Sequence, residues 1–378
     1  LVDAHRPFLV EHRLGHAMRE PWAIRERARH VLRGGGQLGR MLAMAAARLN
    51  YRTIILEPQA DSPAAQVANA QITAAYDDPQ ALAELAKLCD VVTYEFENVP
   101  VTAVERLAAS VPVYPPAKAL EVAQDRVTEK RFLNASGIET ARFHAIDSQS
   151  DLEAALADFG GEGVLKTRRF GYDGKGQKVY RKGDTAEGGY AALGSVPLIL
   201  ESFVPFVREV SIIAARGADG EVQAYDPAEN VHRNGILHTS TLPAAIPAET
   251  AIAAREAATR LLNGLNYVGV VGMEFFVLTD GGLIANEIAP RVHNSGHWTE
   301  AACIVSQFEQ HIRAVAGLPL GDPSRHSDCV MTNLIGDDID SVPAWLGRSN
   351  VLVHLYGKTE ARPGRKMGHV TEIMSIKA

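Results

Sequence analysis

The sequence predicts a mixed α/β (α+β) protein: a parallel-sheet unit near the N-terminus, then a larger antiparallel unit and a small C-terminal one. Three observations carry this. From 31 to about 110, short apolar runs alternate with amphipathic helical stretches, the pattern of a parallel sheet with helices on both faces. From about 160 the texture changes to strands joined by Gly and Asp-Gly turns, the mark of antiparallel pairing. Between them PVYPPAKALEVAQDR is proline-bearing and reads as a linker.

In chain order, VLRGGG predicts a strand and glycine turn leading into the helix QLGRMLAMAAARLN. RTIILEP is a strand, DDPQALAELAKLC a helix, DVVTYEFEN a strand, and a helix spans about Pro100 to Ala109. A further helix runs from Arg126 to Ser136, with Gly137 as its C-terminal cap. The strands VLKTRR, QKVYR, PLILESF, REVSIIAARG, EVQAYDP and the hairpin GMEFFVLTDGGLIANEI follow. The helix Ala248 to Leu262 interrupts them, and another runs from about Thr299 to Ala316. The tail carries one strand-like piece, VLVHLYGK, and a basic turn, RPGRK. Expected boundaries are 31–125 for the parallel unit, 126–317 for the antiparallel one and 318–378 for the C-terminal one.

At 378 residues, 46% apolar and 22% charged, the chain fits two or three ordinary globular domains. No apolar run approaches a membrane span and no signal-peptide core is present, so a cytoplasmic location is expected and no membrane partner. A net charge of −7 gives nucleic acid no general attraction. Cys89, Cys303 and Cys329 are odd in number and far apart, which argues against a disulfide framework or a structural zinc site.

Gly34, Gly36 and Gly39 fit G-x-G-x-x-G, and Glu57 follows the apolar run TIIL. That is where a nicotinamide enzyme keeps its ribose-binding acid, so a dehydrogenase is one reading. The same glycines also serve other anions or tight packing.

The chemistry concentrates further on. If Asp280-Gly281 forms a two-residue turn, Glu274 and Glu287 stand directly opposed, with Cβ atoms roughly 4.5–5.5 Å apart. Like charges there call for a cation between them, and Mg²⁺, which takes oxygen ligands, suits; Asn286 adds an oxygen. The plain alternative is two solvated glutamates. In VLKTRRFGYDGKGQKVY, Lys166 stands at the root of a loop with Gly171, Gly174 and Gly176, a way of holding phosphates with backbone N–H groups; a mobile hairpin tip is the alternative. Glu201, at the end of an apolar strand, and Glu209, past a proline, offer the edge of an adenine pocket and a ribose acid. His293 and His297 are four apart, but Ser295 and Gly296 between them disfavour a helix, and the glutamate of HExxH is missing. Arg291, His293 and Asn294 read better as a donor cluster for an anion.

Together GGGQLGRML, TYEFENVP, DR..EK, KTRRFGYDGKGQ, ESFVPFVRE, MEFF...NEIAPRVHNSGHWT and HLYGK...PGRKMGHV resemble the ATP-grasp superfamily, and within it the N5-carboxyaminoimidazole ribonucleotide synthetases. The resemblance runs from about 34 to 371. It implies an ATP-grasp fold with a Rossmann-like N-terminal domain, and ATP-driven carboxylation of 5-aminoimidazole ribonucleotide by bicarbonate through carboxyphosphate. It also implies a homodimer and Mg²⁺, or Mn²⁺, as cofactor.

Carried over by position, it implies that Arg126 and Lys166 contact ATP phosphates, under a flap of Gly171, Tyr172, Asp173, Gly174, Lys175, Gly176 and Gln177. Glu201, Ser202, Phe203 and Val204 would hold adenine, Glu209 ribose, with His232 near the nucleotide and Asn286 beside it. Glu274 and Glu287 would bind metal, and Tyr172 and Asp173 face the aminoimidazole. Arg291, His293 and Asn294 would take bicarbonate and then carboxyphosphate. Lys358 and Arg365, with the Gln37–Leu38 backbone, would take the ribonucleotide phosphate. At 175 the family's loop is expected to carry arginine and this chain has lysine, which keeps charge but loses the bidentate fork. Rival readings are another ATP-grasp ligase, such as a formate-using transformylase or biotin-dependent carboxylase, and a nucleotide-binding homologue without catalysis.

The first thirty residues match nothing in that pattern, mix six arginines with four acids, and begin without methionine. They are expected to be foreign to the fold, an extension or reading-frame error, with some helix around Trp22 to His30. The first strand is then expected to be short, since Val31 and Leu32 alone are apolar before the turn, and the glycine turn loosely held.

Overall fold

In the computed structural model, which describes residues 29–33, 35–171 and 176–376, the chain begins with a four-stranded parallel sheet. Its strands are β1 (Arg29–Arg33), β2 (Arg52–Leu56), β3 (Ala70–Ile72) and β4 (Val91–Tyr94), in the order β3-β2-β1-β4. This is half of a doubly wound sheet, with ligand crevices expected at the carboxyl ends of the strands. β1 is five residues long and central: Val31 pairs with Ile54 on one side and Val92 on the other. It starts at Arg29, so Arg29 and His30 are strand and not helix. Residues 1–28 lie outside the described residues, as does Gly34.

The glycine turn is firmly tied, contrary to expectation. The Gly35 amide donates to Glu57 Oε2 at 2.7 Å and the Gly36 amide to Glu95 Oε1 at 3.1 Å. Acids from the ends of β2 and β4 thus take the N–H groups that a dinucleotide phosphate would use, and Glu57 also accepts from the Tyr76 hydroxyl. The helix Gln37–Arg48 follows. It buries Leu38, Met41, Leu42, Ala45 and Ala46 in a core shared with Ile213, Val270, Phe308 and Ile312, which fuses the first unit to the third sheet.

Helices form where capping residues precede apolar periodicity. Asp78 caps Pro79–Leu88 through the amides of Gln80 and Ala81. Asp125 caps Arg126–Ala135 through those of Val127 and Thr128, and Gly137, at φ +70°, ends that turn. The segment expected to be linker holds a helix of its own, Ala117–Ala123, with Ala119, Leu120 and Val122 buried.

The second sheet is antiparallel, ordered β5-β8-β6-β7, from β5 (Phe143–Ile146), β6 (Gly163–Thr167), β7 (Gln177–Tyr180) and β8 (Leu198–Glu201). The helix Gln149–Asp158 packs on it through Leu152, Ala155 and Leu156. The third sheet has nine strands: β9 (Arg208–Arg216), β10 (Val222–Ala224), β11 (Ala228–Arg233), β12 (Ile236–Leu242), β13 (Gly269–Val277), β14 (Leu283–Ala289), β15 (Asp328–Ile335), β16 (Val351–Leu355) and β17 (Lys366–Met374). Their order is β14-β13-β9-β11-β12-β15-β17-β16, with β10 beside β9. The C-terminal strands therefore extend this sheet through the β12–β15 pair. The helix Ala248–Gly264 covers β9 and β13 with Ala254, Leu261 and Leu262.

Two turns differ from expectation. The tip of the β13–β14 hairpin is a three-residue loop: Leu278 N–H donates to Gly282 O and Gly281 N–H to Leu278 O, with Gly281 at φ +86°. The two-residue turn lies instead at Asn234-Gly235, both at positive φ, where Arg233 pairs with Ile236 between β11 and β12. The helix expected over Thr299 to Ala316 is two, Thr299–Ala302 and Gln307–Val315, the second capped by Ser306. No helix among the described residues is long and apolar enough to cross a membrane.

Candidate active site

The site lies where the three sheets meet. β13 and β14 bring Glu274 opposite Glu287, even though the turn between them is one residue longer than the two-residue reading requires. A bulge restores the register: Phe275 faces Ala285 while Glu274 faces Glu287, leaving Asn286 as the extra residue. Burial and then the Glu287 charge push Glu274 up to about 8 from an ordinary 4.5. Burial acts on Glu287 in the same direction, but Arg126 and then Lys166 outweigh it and hold that carboxyl below its usual value. Arg126 Nη1 lies 3.2 Å from Glu287 Oε2. The buried Asn286 Oδ1 has no hydrogen-bond partner among the described residues.

Behind the pair is a cationic wall. Lys166, on β6, donates to Glu201 Oε2, on β8, at 3.0 Å. Lys130 lies 3.5 Å from the same oxygen, fully buried, and reaches the Asn286 carbonyl at 3.3 Å. Burial opposes the charge of Glu201, yet Lys166, Lys130 and Arg126 carry it down to about 2. Glu129 takes the Ile288 amide at 2.6 Å, and burial raises it to about 7. Arg168 grips the capping carboxylate of Asp125 at 2.9 and 3.1 Å, and Arg126 N–H donates to Arg168 O, so the start of the Arg126 helix is bolted to the end of β6. Arg126 also reaches Gly171 O at 3.4 Å, the entrance to the glycine loop. Gly176, at φ +71°, and Gln177, paired with Lys166, form its exit; Tyr172, Asp173, Gly174 and Lys175 lie outside the described residues.

Ser202, Phe203 and Val204 continue from β8, with Phe203 partly exposed under Arg181. Nearby Phe206 stacks on Phe276 at 4.5 Å between centroids. Glu209, on β9, lies 3.2 Å from His232 Nδ1, on β11. Burial disfavours the imidazolium, but Glu209, then Glu274 and Glu287, raise the His232 pKa.

On the other side of the acids, Arg291 Nε meets Glu97 Oε2 at 2.5 Å and so reaches back to the first sheet. His293 Nε2 lies 3.7 Å from Glu274 Oε1, and its Nδ1 lies 2.8 Å from Ser295 Oγ. Burial, then Arg291, bring its pKa down to about 3, so the ring is neutral. Gln307 braces the turn by accepting the His293 amide and donating to the His293 carbonyl. Gly272 is required opposite: a Cβ there would fall 2.7 Å from His293 Cβ. Asn294 is buried, and neither amide atom has a hydrogen-bond partner among the described residues. His297 is also buried, with Nδ1 receiving Gln307, away from any pairing with His293.

At the far end Lys358 Nζ contacts Gln37 Oε1 and the Lys366 carbonyl, both at 2.6 Å, beside the first turn of Gln37–Arg48. Burial, then Arg365 and Lys366, lower Lys358 to about 8. Leu38 is buried in the core, so its backbone alone can serve a ligand. Arg365 donates to Glu360 O. A helix N-terminus ringed by these cations suits a phosphate. Lys130, Lys366 and Glu95 have no place in the sequence-derived site. Lys130 stands in the quoted DR..EK, and Lys366 acts electrostatically on Glu274, His293 and Lys358 together.

Models of three families match the chain in order: the ribonucleotide synthetase preATP-grasp domain over 31–124, the ATP-grasp domain over 131–308, and the phosphoribosylaminoimidazole carboxylase C-terminal domain over 329–376. An N5-carboxyaminoimidazole ribonucleotide synthase of Brucella melitensis is 66% identical over 90% of this chain and 94% of its own length. The chain belongs to the N5-carboxyaminoimidazole ribonucleotide synthase family. Members of this family are ATP-dependent ligases with the ATP-grasp fold seen here. A solved ADP complex of an N5-carboxyaminoimidazole ribonucleotide synthetase superposes with a TM-score of 0.89, at 41% identity and 93% coverage of each chain. The Aspergillus clavatus enzyme, solved with ADP and 5-aminoimidazole ribonucleotide, superposes with a TM-score of 0.86, at 32% identity, covering 92% of this chain and 94% of its own. These matches leave the dehydrogenase reading without support, as does the use of the glycine-turn amides by Glu57 and Glu95.

Proposed function

We propose that the chain uses ATP and bicarbonate to carboxylate the exocyclic amine of 5-aminoimidazole ribonucleotide. Bicarbonate attacks the γ-phosphorus to give carboxyphosphate and ADP. The amine then attacks the carboxyl carbon, phosphate leaves, and the amine proton is lost, giving N5-carboxyaminoimidazole ribonucleotide for purine synthesis. The observation that carries this reading is the placement of Asn294, a buried amide without a hydrogen-bond partner among the described residues, and a neutral imidazole, His293, beside two opposed acids that face a wall of three cations.

Each group has a role fitted to its surroundings. Arg126 and Lys166 neutralise the ATP phosphates, since phosphoryl transfer asks chiefly for position and charge. The flap 171–177 excludes water from labile carboxyphosphate, and within it Tyr172 and Asp173 face the aminoimidazole, Asp173 orienting or accepting the amine proton. Glu201 to Val204 hold adenine and Glu209 ribose, with His232 beside it. Arg291, His293 and Asn294 hold bicarbonate and then carboxyphosphate. Lys358, Arg365 and the Gln37–Leu38 backbone hold the ribonucleotide phosphate.

Glu274 and Glu287, with Asn286 Oδ1, fit Mg²⁺ or Mn²⁺: a hard oxygen donor set, with one acid raised by burial and by the other, and one oxygen lacking a hydrogen-bond partner among the described residues. When bound, the ion supplies charge neutralisation at the transferring phosphoryl group. We further propose a homodimer, which the family resemblance implies, and a cytoplasmic location, which fits three buried cysteines with no disulfide among the described residues. The test is ADP release: it is expected to need bicarbonate and to be strongly stimulated by 5-aminoimidazole ribonucleotide. Stimulation by formate or another acceptor instead would assign a different ligase activity, and no turnover at all would leave a binding protein.

A further inference from the structure

Outside this site, Glu300, His354 and His369 converge from three elements. Glu300 sits on the turn Thr299–Ala302, and His354 and His369 are a cross-strand pair on β16 and β17. One donor atom from each lies within 4.8 Å of the others. His354 Nδ1 is 3.1 Å and His369 Nε2 3.7 Å from Glu300 Oε2. Even so, neither nitrogen is aligned to hydrogen-bond that oxygen. Glu300 Oε2 and His369 Nε2 are both buried without a hydrogen-bond partner among the described residues.

Three donor atoms crowded together with no hydrogen bond between them are arranged for a shared cation. We propose that Glu300, His354 and His369 form a binding site for a divalent transition-metal ion of the zinc class.

The donor set, two imidazoles and a carboxylate, is one that Zn²⁺ takes with a fourth position open. Tetrahedral binding at about 2.0–2.2 Å places ligand atoms about 3.4 Å apart, so Glu300 already stands at the right separation from both rings. The rings are nearly parallel, 12° apart with centroids at 5.3 Å, and binding would draw their nitrogens, within 4.8 Å of each other, together by up to about 1.4 Å through side-chain rotation. The outer contacts suit the task. Tyr356 Oη lies 2.9 Å from His369 Nδ1; with that nitrogen donating, Nε2 keeps its lone pair toward Glu300. His297, its ring centroid 4.8 Å from that of His369, is excluded. The Gln307 amide, oriented by the His293 backbone, donates to His297 Nδ1 and so leaves the hydrogen on Nε2. The ion would clamp the turn after Asn294 to the strands leading to Lys358 and Lys366, a structural role separate from turnover chemistry.

The test is Co²⁺ and Zn²⁺ titration of the full chain after chelator treatment, with excess Mg²⁺ present to occupy the acids of the catalytic site. One equivalent of Co²⁺ with the intense bands of four- or five-coordination is expected, displaced by Zn²⁺. Zn²⁺ at a hundredfold excess over Kd is expected to raise Tm by about 4 °C. Glu300→Gln and His354→Gln, both partly exposed positions that keep side-chain shape, are expected to weaken binding at least about 100-fold, while Glu287→Gln keeps it. Absence of stoichiometric binding to wild type, or equal binding by Glu300→Gln and His354→Gln, overturns the proposal. So does loss confined to Glu287→Gln, which would place the ion in the catalytic site.

Discussion

Glu274 on β13 stands directly opposite Glu287 on β14, and a bulge at Asn286 is what puts it there. The two acids are not equivalent. Glu274 is pushed up to about 8 by burial and by its neighbour, whereas Glu287 keeps its charge through Arg126, 3.2 Å away. Their amide variants therefore diverge without metal. Glu274→Gln removes a poorly solvated carboxyl and is expected to leave the Mg²⁺-free melt unchanged or raised. Glu287→Gln unpairs a largely buried arginine and is expected to cost about 1–2 kcal/mol. Both are expected to lose Mg²⁺-dependent turnover. Near-normal turnover of either at saturating Mg²⁺ would refute the metal assignment.

That facing pair was legible in the sequence for a partly wrong reason. A two-residue turn at Asp280-Gly281 gives the right partner for Glu274, but the real loop is a residue longer and the bulge compensates. Bulges leave no local mark, because Asn286 reads as an ordinary strand residue. Capped helices such as Pro79–Leu88 were readable because Asp78 and Pro79 act within one turn. β15 and β17 were not: DCVMTNLI and KMGHVTEIM are shielded on both faces, so alternation is lost. Lys130 was invisible as a site residue for a similar reason. On an amphipathic helix a buried lysine looks like a solvated one until β8 supplies Glu201. His369 needed the β16–β17 register to meet His354.

Glu95 makes stability depend on pH. Burial raises it to about 8 from 4.5 against the pull of Arg291 and the Gly36 amide. The unfolded carboxyl releases its proton near 4.5 and the folded one near 8. Its contribution is thus fully present below the lower value and is lost as pH rises toward the upper. Glu95→Gln retains an oxygen for the Gly36 amide and cannot titrate. The Tm of the variant is expected to gain on wild type steadily from about pH 5 to 8 and to level off above. A Tm difference that stays constant over that range would show that Glu95 titrates normally.

Glu201 faces two buried ammonium groups, Lys166 at 3.0 Å and Lys130 at 3.5 Å. Removing the acid strands both, and losing one partner of a buried pair costs about 3–5 kcal/mol. Glu201→Gln is expected to fall in that range by urea denaturation. Glu209→Gln, whose partner His232 is more open to solvent, is expected to cost about 1 kcal/mol or less. Equal losses in the two variants would mean that the cationic wall is hydrated and adds no special strain.

Asn294 separates function from stability. The residue is 9% exposed, and both Oδ1 and Nδ2 lack hydrogen-bond partners among the described residues. A buried polar group left unpaired costs about 1–3 kcal/mol, so the ligand-free fold gains nothing from this amide. Asn294→Ala removes the unpaired atoms and leaves a small void, two effects of similar size and opposite sign. Its melt is therefore expected to match wild type within about 1 kcal/mol, or exceed it. Bicarbonate-dependent ADP formation is expected to fall about 100-fold or more, as when a preorganised donor to a developing anion is lost. ADP affinity is expected to stay within a few-fold, because the cationic wall around Lys166 is untouched. A large drop in Tm with normal bicarbonate dependence would make Asn294 a packing residue, and the bicarbonate pocket would then rest on Arg291 and His293 alone.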